Sequence, residues 1–210
     1  MKITVIGAGN MGSAFVKQLT RAGHQVSVTA RDAAKAAQVA GAHPGARAVP
    51  TAGAAEGADA VVLATAYGDA ASALKAVGSL SGKVVIDITN PLTADYMGLT
   101  IGHDTSAAEE IAKAVPGAEV VKAFNTVFAQ VLAEGADFGN GRKVGVFVAG
   151  DSARAKQTAG ALAESMGFDV VDAGSLKNAR YLEPLAGLNI YLGYGAGLGT
   201  GIAPTWIRKA

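Results

Sequence analysis

The chain has 210 residues, 50% of them hydrophobic and 17% charged, which is enough to bury one sizeable core. Its formal net charge of +1, without a run of Lys or Arg, excludes a field strong enough to hold a polyanion, so small molecules and not nucleic acid are the expected partners. The absence of cysteine excludes disulfides, thiolate metal sites and a cysteine nucleophile, and redox chemistry here must use a bound cofactor.

A strand starts directly after Met1, and no stretch reaches the roughly 18 apolar residues of a membrane span, so the chain is expected to be soluble and cytoplasmic. Short Val/Ile-rich runs then alternate with Ala-rich segments of helical spacing, the pattern of parallel strands joined by crossover helices. The spacing predicts a strand over Lys2–Gly7 and a helix over Met11–Arg21, then a strand at Gln25–Thr29 and a helix at Ala33–Ala40. Strands follow at Ala46–Val49 and Ala58–Ala64, a helix at Asp69–Val77, a strand at Lys83–Asp87 and a helix at Ala107–Ala114. The second half continues with strands at Glu119–Ala123, Val144–Ala149 and Asp169–Asp172, and helices at Thr126–Glu134, Ala153–Met166 and Asn178–Leu192. Pro184 should kink or restart the last helix. The aperiodic stretch Pro91–Thr105 has the length of a functional loop. The glycine-punctuated tail Gly193–Gly201 is expected to fold back over a site or a partner.

The first strand runs into Gly7-Ala8-Gly9-Asn10-Met11-Gly12 and then into an amphipathic helix, the context a dinucleotide-phosphate loop requires. The first glycine permits the turn, the second lets a pyrophosphate approach the backbone, and the third lets helix and strand pack closely. At the end of the second strand the chain reads Ala30-Arg31-Asp32, with Lys35 one helical turn on. An acid there would take the ribose 2′-hydroxyl of NAD, whereas cations would take the 2′-phosphate of NADP. Asp32 is placed to cap the following helix. That leaves Arg31 and Lys35 for a phosphate, and NADP(H) is the preferred reading over solvated surface charges with Asp32 as the ribose acid.

In a doubly wound sheet the ligand crosses the carboxyl ends of the strands. Thr65, Ala66 and Tyr67 should therefore lie beside the sugar and pyrophosphate, and Asn90, Pro91, Asn125 and Ala129 beside the nicotinamide. No Ser/His/Asp arrangement and no metal-spaced cluster appears, and of the three histidines only His103 falls in a loop that could reach the cleft, where an exposed position is the simpler reading. A carbonyl or imine reductase needs a general acid near the hydride acceptor. Transfer between nicotinamide and a flavin-like ring needs mainly stacking and orientation, and no catalytic side chain is assigned.

The chain resembles the coenzyme F420-dependent NADP oxidoreductase family (NADPH:F420 reductases) over essentially its whole length. The resemblance rests on Val5-Ile6-Gly7-Ala8-Gly9-Asn10-Met11-Gly12, Ala30-Arg31 with Lys35, Lys122-Ala123-Phe124-Asn125-Thr126 and Asp172-Ala173-Gly174-Ser175-Leu176 with Arg180 and Glu183. It implies an NADP-binding Rossmann domain over residues 1–142 and a small C-terminal α/β extension over residues 143–210 that completes the substrate cleft. It also implies hydride exchange between NADP(H) and a deazaflavin (F420) or a flavin, FMN or FAD. Asn125 and Phe128 stand where archaeal members carry histidine and proline.

Two other readings remain open: an imine or carbonyl reductase of the pyrroline-carboxylate or hydroxyacid type, and a non-catalytic NADPH-binding module that senses redox state. The apolar, glycine-rich C-terminal stretch suggests a homodimer.

Overall fold

The computed structural model describes residues 1–206 and 209. Its eight strands form one sheet in the order β3-β2-β1-β4-β5-β6-β7-β8. They are β1 (Lys2–Ile6), β2 (Gln25–Thr29), β3 (Ala46–Ala48), β4 (Ala60–Leu63), β5 (Val84–Asp87), β6 (Glu119–Lys122), β7 (Gly145–Gly150) and β8 (Asp169–Asp172). Neighbouring strands run parallel except β6 and β7, which meet antiparallel through Val121 with Gly150 and Lys122 with Ala149. This is a Rossmann-type, doubly wound α/β fold: strand order reverses between β1 and β4, which opens a crevice at the carboxyl ends of those strands.

Near-continuous Val/Ile runs make these strands because both faces of the sheet are covered. Side chains alternate across it. Val5, Val62, Val84 and Ile86 pack with Phe15, Val16 and Leu19 of α1 (Asn10–Arg21), with Val131 and Leu132 of α5 (Ala129–Glu134) and with Leu162 of α6 (Ala153–Ser165). Ile6, Val61, Leu63 and Val85 pack on the other face with Leu74 of α3 (Tyr67–Ala76) and Ile111 of α4 (Ala107–Ala114). The helix α2 (Ala33–Gly41) covers the β2–β3 edge, and α7 (Ala179–Ile190) lies against α4 after a single 3-10 turn, Leu176–Asn178.

Three local expectations change. The connection from β6 to β7 begins its helix at Ala129 and not at Thr126, because Phe124 adopts φ 60° and Val127 N–H closes a turn onto Phe124 O at 3.0 Å. A left-handed conformation costs a bulky residue roughly 1–2 kcal/mol. It is held by the Phe124 ring, fully buried and edge-on to Phe15 and Phe168 at centroid distances of 5.0 and 6.0 Å. Helix α3 starts at Tyr67, two residues before the expected Asp69. Pro184 does not interrupt α7, and the irregularity comes later, in a π turn over Tyr191–Gly195. Around Pro184 the helix is anchored by the buried Glu183 and by Leu182 O, which accepts from Asn125, so packing outweighs the missing backbone bond.

The aperiodic stretch after Pro91 is compact. A Leu92–Leu99 bridge closes it, Thr93 N–H donates to Gly98 O at 2.8 Å, and Thr100 N–H donates to Pro91 O at 2.7 Å. Among the described residues no helix is long and apolar enough to cross a membrane.

Candidate functional site

The glycine loop separates into two architectural glycines and one open one. Gly7 has φ 116°, and a Cβ there would meet Ala64 O at 2.2 Å; a Cβ on Gly12 would meet Gly7 O at 1.9 Å. These two are fixed by how β1, β4 and α1 pack. A Cβ on Gly9 would have nothing within 4 Å, and this residue caps α1 without a side chain. No protein neighbour requires glycine at this position. It leaves the free amides at the start of α1 uncovered, as a pyrophosphate needs.

Beside the loop, Gly7, Ala8, Gly9, Ala30, Arg31 and Lys35 share a cleft of about 540 Å³ with Thr65 and Ala66. The Asp32 carboxylate accepts from Ala34 N–H at 3.0 Å and Lys35 N–H at 3.2 Å, so it is occupied as the N-cap of α2. The Arg31 side chain is 92% exposed and only loosely paired with Asp69 at 3.8 Å. An exposed pair of that length is worth little and leaves the guanidinium able to turn onto a phosphate. Thr29 and Thr51, hydroxyl to hydroxyl at 2.9 Å, pin the end of β2 to the loop behind it.

The opposite end of the crevice is made from side chains. Asn90 Nδ2 donates to Asn125 O at 2.9 Å, and Asn125 Nδ2 returns a bond to Asn90 Oδ1 at 3.0 Å and donates to Leu182 O at 2.9 Å. Asn189 Nδ2 donates to Thr126 O at 3.1 Å. These amides tie the β5 and β6 exits to α7. With Asn10, Met11, Ala129 and Ala186 they border a cavity of about 250 Å³, whose mouth carries Tyr96 and Tyr194, 61% and 64% exposed.

Under this cavity lies a buried charge cluster. Lys122 Nζ contacts Asp87 Oδ2 at 2.7 Å, Glu183 Oε1 at 2.9 Å and Thr89 O at 2.7 Å, and all three charged side chains are at most 1% exposed. The second Asp87 oxygen accepts from Thr89 N–H at 2.8 Å, and Glu183 accepts from the Ala107 and Ala108 amides at 2.8 and 3.1 Å. Two carboxylates against one ammonium leave an excess negative charge, which the amides at the start of α4 offset. The cluster holds the Thr89–Asn90 loop, so Asp87 is a structural partner and not a cleft group.

The expected residues are distributed as follows. Gly7, Ala8, Gly9, Ala30, Arg31, Lys35, Thr65 and Ala66 line the larger cleft, and Asn10, Met11, Asn90, Asn125 and Ala129 the smaller cavity. Gly12 is buried in the α1–β1 contact, and Pro91 is buried with its carbonyl spent on Thr100. Tyr67 lines neither space but packs on the core beneath α3, where burial, then Glu110, Glu183 and Asp87, push its phenol up. His103 is exposed at φ 59° and lines neither cavity.

Sequence reasoning missed Tyr96, Tyr194 and the partners of Lys122. A lysine within the apolar run Val120-Val121-Lys122-Ala123-Phe124, at the end of β6, was the available signal, because a buried ammonium demands carboxylates. Among the described residues, four buried oxygens have no protein partner: Thr65 Oγ1, Thr89 Oγ1, Asn125 Oδ1 and Thr126 Oγ1. All sit on strand-exit loops: Thr65 lines the larger cleft, Asn125 and Thr126 the smaller cavity, and Thr89 neither. Open Gly9, capped Asp32 and the exposed, loosely paired Arg31 together fit an NADP(H) molecule laid across the crevice.

The profile of a family described as NADP oxidoreductase, coenzyme F420-dependent, matches residues 2–91. The F420-dependent NADP reductase of Methanothermobacter marburgensis is 31% identical over 209 residues, covering 91% of this chain and 92% of its own. Metalloreductase STEAP3 of Rattus norvegicus is 30% identical over 185 residues, 88% of this chain, which spans only 36% of that protein. A solved structure provisionally named an F420-dependent NADP reductase, from Arthrobacter sp. FB24, superposes with a TM-score of 0.87 at 32% identity, covering 99% of this chain and 100% of its own. An imine reductase from Pseudomonas sp., at 19% identity and a TM-score of 0.68 over 93% of this chain and 63% of its own, shares the fold alone.

Proposed function

The chain belongs to the coenzyme F420-dependent NADP oxidoreductase family, an NADP-dependent oxidoreductase family, and from that premise we propose that it exchanges hydride between NADP(H) and a deazaflavin or flavin ring stacked on the nicotinamide at the mouth of the 250 Å³ cavity. The carrying observation is the lining of that cavity. Among the described residues it has no histidine, lysine or carboxylate, and its titratable groups are two largely exposed phenols, Tyr96 and Tyr194.

In this reading the amides after Gly9 hold the pyrophosphate, Arg31 and Lys35 select the 2′-phosphate, and Thr65 and Ala66 border the sugar. Asn90, Asn125 and Ala129 fix the nicotinamide end. Residues 143–210 complete the cleft, because α7 supplies Ala186 and Asn189 to its wall and Glu183 to its foundation. The bound cofactor supplies a hydride from nicotinamide C4, and the reduced acceptor takes its proton from solvent. The protein contributes proximity and alignment, which can remove several kcal/mol of barrier without a protein acid.

Stopped-flow mixing of NADPH-loaded protein with F420, FMN and FAD tests the proposal, with rapid reduction of at least one expected. Tyr96→Phe and Tyr194→Phe should each keep the single-turnover rate within about tenfold, short of the roughly 10²–10⁴ typical of losing a general acid. Loss of transfer in either variant with NADPH binding intact would put an imine or carbonyl reductase ahead.

A further inference from the structure

Arg31 and Lys35 share their cleft with two carboxylates, Asp32 and Asp69, so its charged lining balances. Asp32 is spent on the amides of α2, whereas Asp69 pairs with Arg31 alone among the described residues. Arg31 follows β2, and Asp69 stands in the first turn of α3, which follows β4. Because β2 and β4 flank β1 on opposite sides, the pair reaches across the carboxyl end of β1, from one wall of the cleft to the other. A cleft made only to hold a phosphate has no use for this second carboxylate.

The effect of Asp69 on a ligand depends on whether that ligand carries a phosphate monoester, whose charge at neutral pH is about −1.5 to −2. To reach Arg31 such a group must first displace the Asp69 carboxylate and then sit in its field. The plain ribose hydroxyl of NAD(H) does neither. Displacement and repulsion act in the same direction, against the phosphate. Both partners are largely exposed and lie 3.8 Å apart, so solvent keeps the penalty small. The amides at the start of α3 favour a carboxylate in this turn, so Asp69 keeps its place on the rim when Arg31 turns away.

We propose that Asp69 is a built-in competitor for Arg31, a counter-ion that the 2′-phosphate of NADP(H) displaces on binding and that takes Arg31 back as the cofactor leaves. A protein that passes hydride between two carriers must release its nicotinamide cofactor after each transfer. Asp69 speeds that release, and it lowers affinity for the phosphorylated cofactor alone. The proposal rests on the reading of Arg31 as the partner of the 2′-phosphate.

The test measures NADPH and NADH binding by titration, and NADPH release by stopped-flow displacement, in the parent and in Asp69 and Arg31 variants. Asp69→Asn should tighten NADPH by about three- to tenfold, mostly through slower release, and leave NADH within about twofold of the parent. Asp69→Glu keeps the charge and should match the parent. With Arg31→Ala already in place, Asp69→Asn should gain about twofold or less, because no guanidinium remains to compete for, and in the parent background the gain should shrink as salt is raised. Unchanged or weaker NADPH binding in Asp69→Asn, or equal tightening of both cofactors, overturns the competition while leaving Arg31 on the 2′-phosphate. Equal losses of NADPH and NADH in Arg31→Ala overturn the reading of Arg31 and the competition with it.

Discussion

The two ends of the crevice are built differently. The end proposed for the cofactor phosphates is backbone: a turn, three glycines, a helix start and two exposed cations, contributed by residues within about one βαβ unit. The end proposed for the acceptor is side chain on side chain. Asn90 meets Asn125, Asn125 meets Leu182, Asn189 meets Thr126, and Lys122 bridges Asp87 and Glu183 across a sequence separation of nearly a hundred residues. The first end should be robust to the loss of distant groups and sensitive to one added methyl. The second should respond to charge and to anything that shifts α7.

The sharpest break of that contrast is Lys122→Met. It strands two buried carboxylates, and breaking a buried ion pair costs about 3–5 kcal/mol. Urea denaturation should show a loss of that size. Adding Asp87→Asn and Glu183→Gln to Lys122→Met should recover much of it, since the neutral amides no longer require a cation. An unchanged midpoint for Lys122→Met would mean the cluster does not hold the acceptor end.

Next in size is the glycine pair. Gly12→Ala puts a methyl 1.9 Å from Gly7 O, so α1 must move off the sheet, and overpacking of this kind costs about 1–3 kcal/mol or more. Gly9→Ala meets no protein atom within 4 Å and should leave the melting temperature within the scatter of surface changes, yet weaken NADPH by about tenfold or more. Thermal melts paired with NADPH titrations separate the two. Equal behaviour of the variants would remove the distinction between the architectural glycines and the open one.

That contrast also explains what could be read in advance. Among the described residues the eight strands and seven α-helices were visible because Val/Ile runs and Ala-rich helices are local patterns, and the glycine loop because its glycines have fixed offsets. The capping role of Asp32 was legible for the same reason, as its partners are two and three residues away. What was not legible depends on packing partners far along the chain. The left-handed Phe124 delays α5, Glu183 sustains α7 past Pro184, and Tyr96 and Tyr194 reach one cavity from a loop and a π turn nearly a hundred residues apart.

Arg31→Ala tests the phosphate end by its selectivity. The 2′-phosphate alone should lose a charge-assisted partner, so the dissociation constant of NADPH should rise about 10- to 100-fold while that of NADH hardly moves. Isothermal titration with both cofactors checks this. Parallel losses would place Arg31 on a group the two share.

The smallest expected effect is a pH dependence confined to the acceptor end. Arg180 of α7 grips Glu109 of α4 through Nε at 2.9 Å and Nη2 at 2.7 Å, and Ser106 adds a third bond. The Arg180 hydrogen bonds, with Ser106 helping, hold the Glu109 carboxyl below its ordinary value, against burial, which pushes it up. A carboxylate depressed in the folded state binds its proton more weakly than in the unfolded chain. Its stabilisation is therefore complete above the unfolded value, about 4.3, and is lost as pH falls through the folded one. The pair is partly exposed and screened by solvent, so its contribution at neutral pH should be small. The stability gap between the parent and Glu109→Gln should thus be constant from about pH 7 to pH 5 and close below about pH 4. Hydrogen exchange should show where it closes: amides of α7 should lose protection on acidification in the parent before those of α1, because Arg180 and Glu109 join α7 to α4 and touch nothing at the glycine loop. A gap that stays constant down to about pH 3, or an α1 that loosens together with α7, would show that the two ends of the crevice are not separately held.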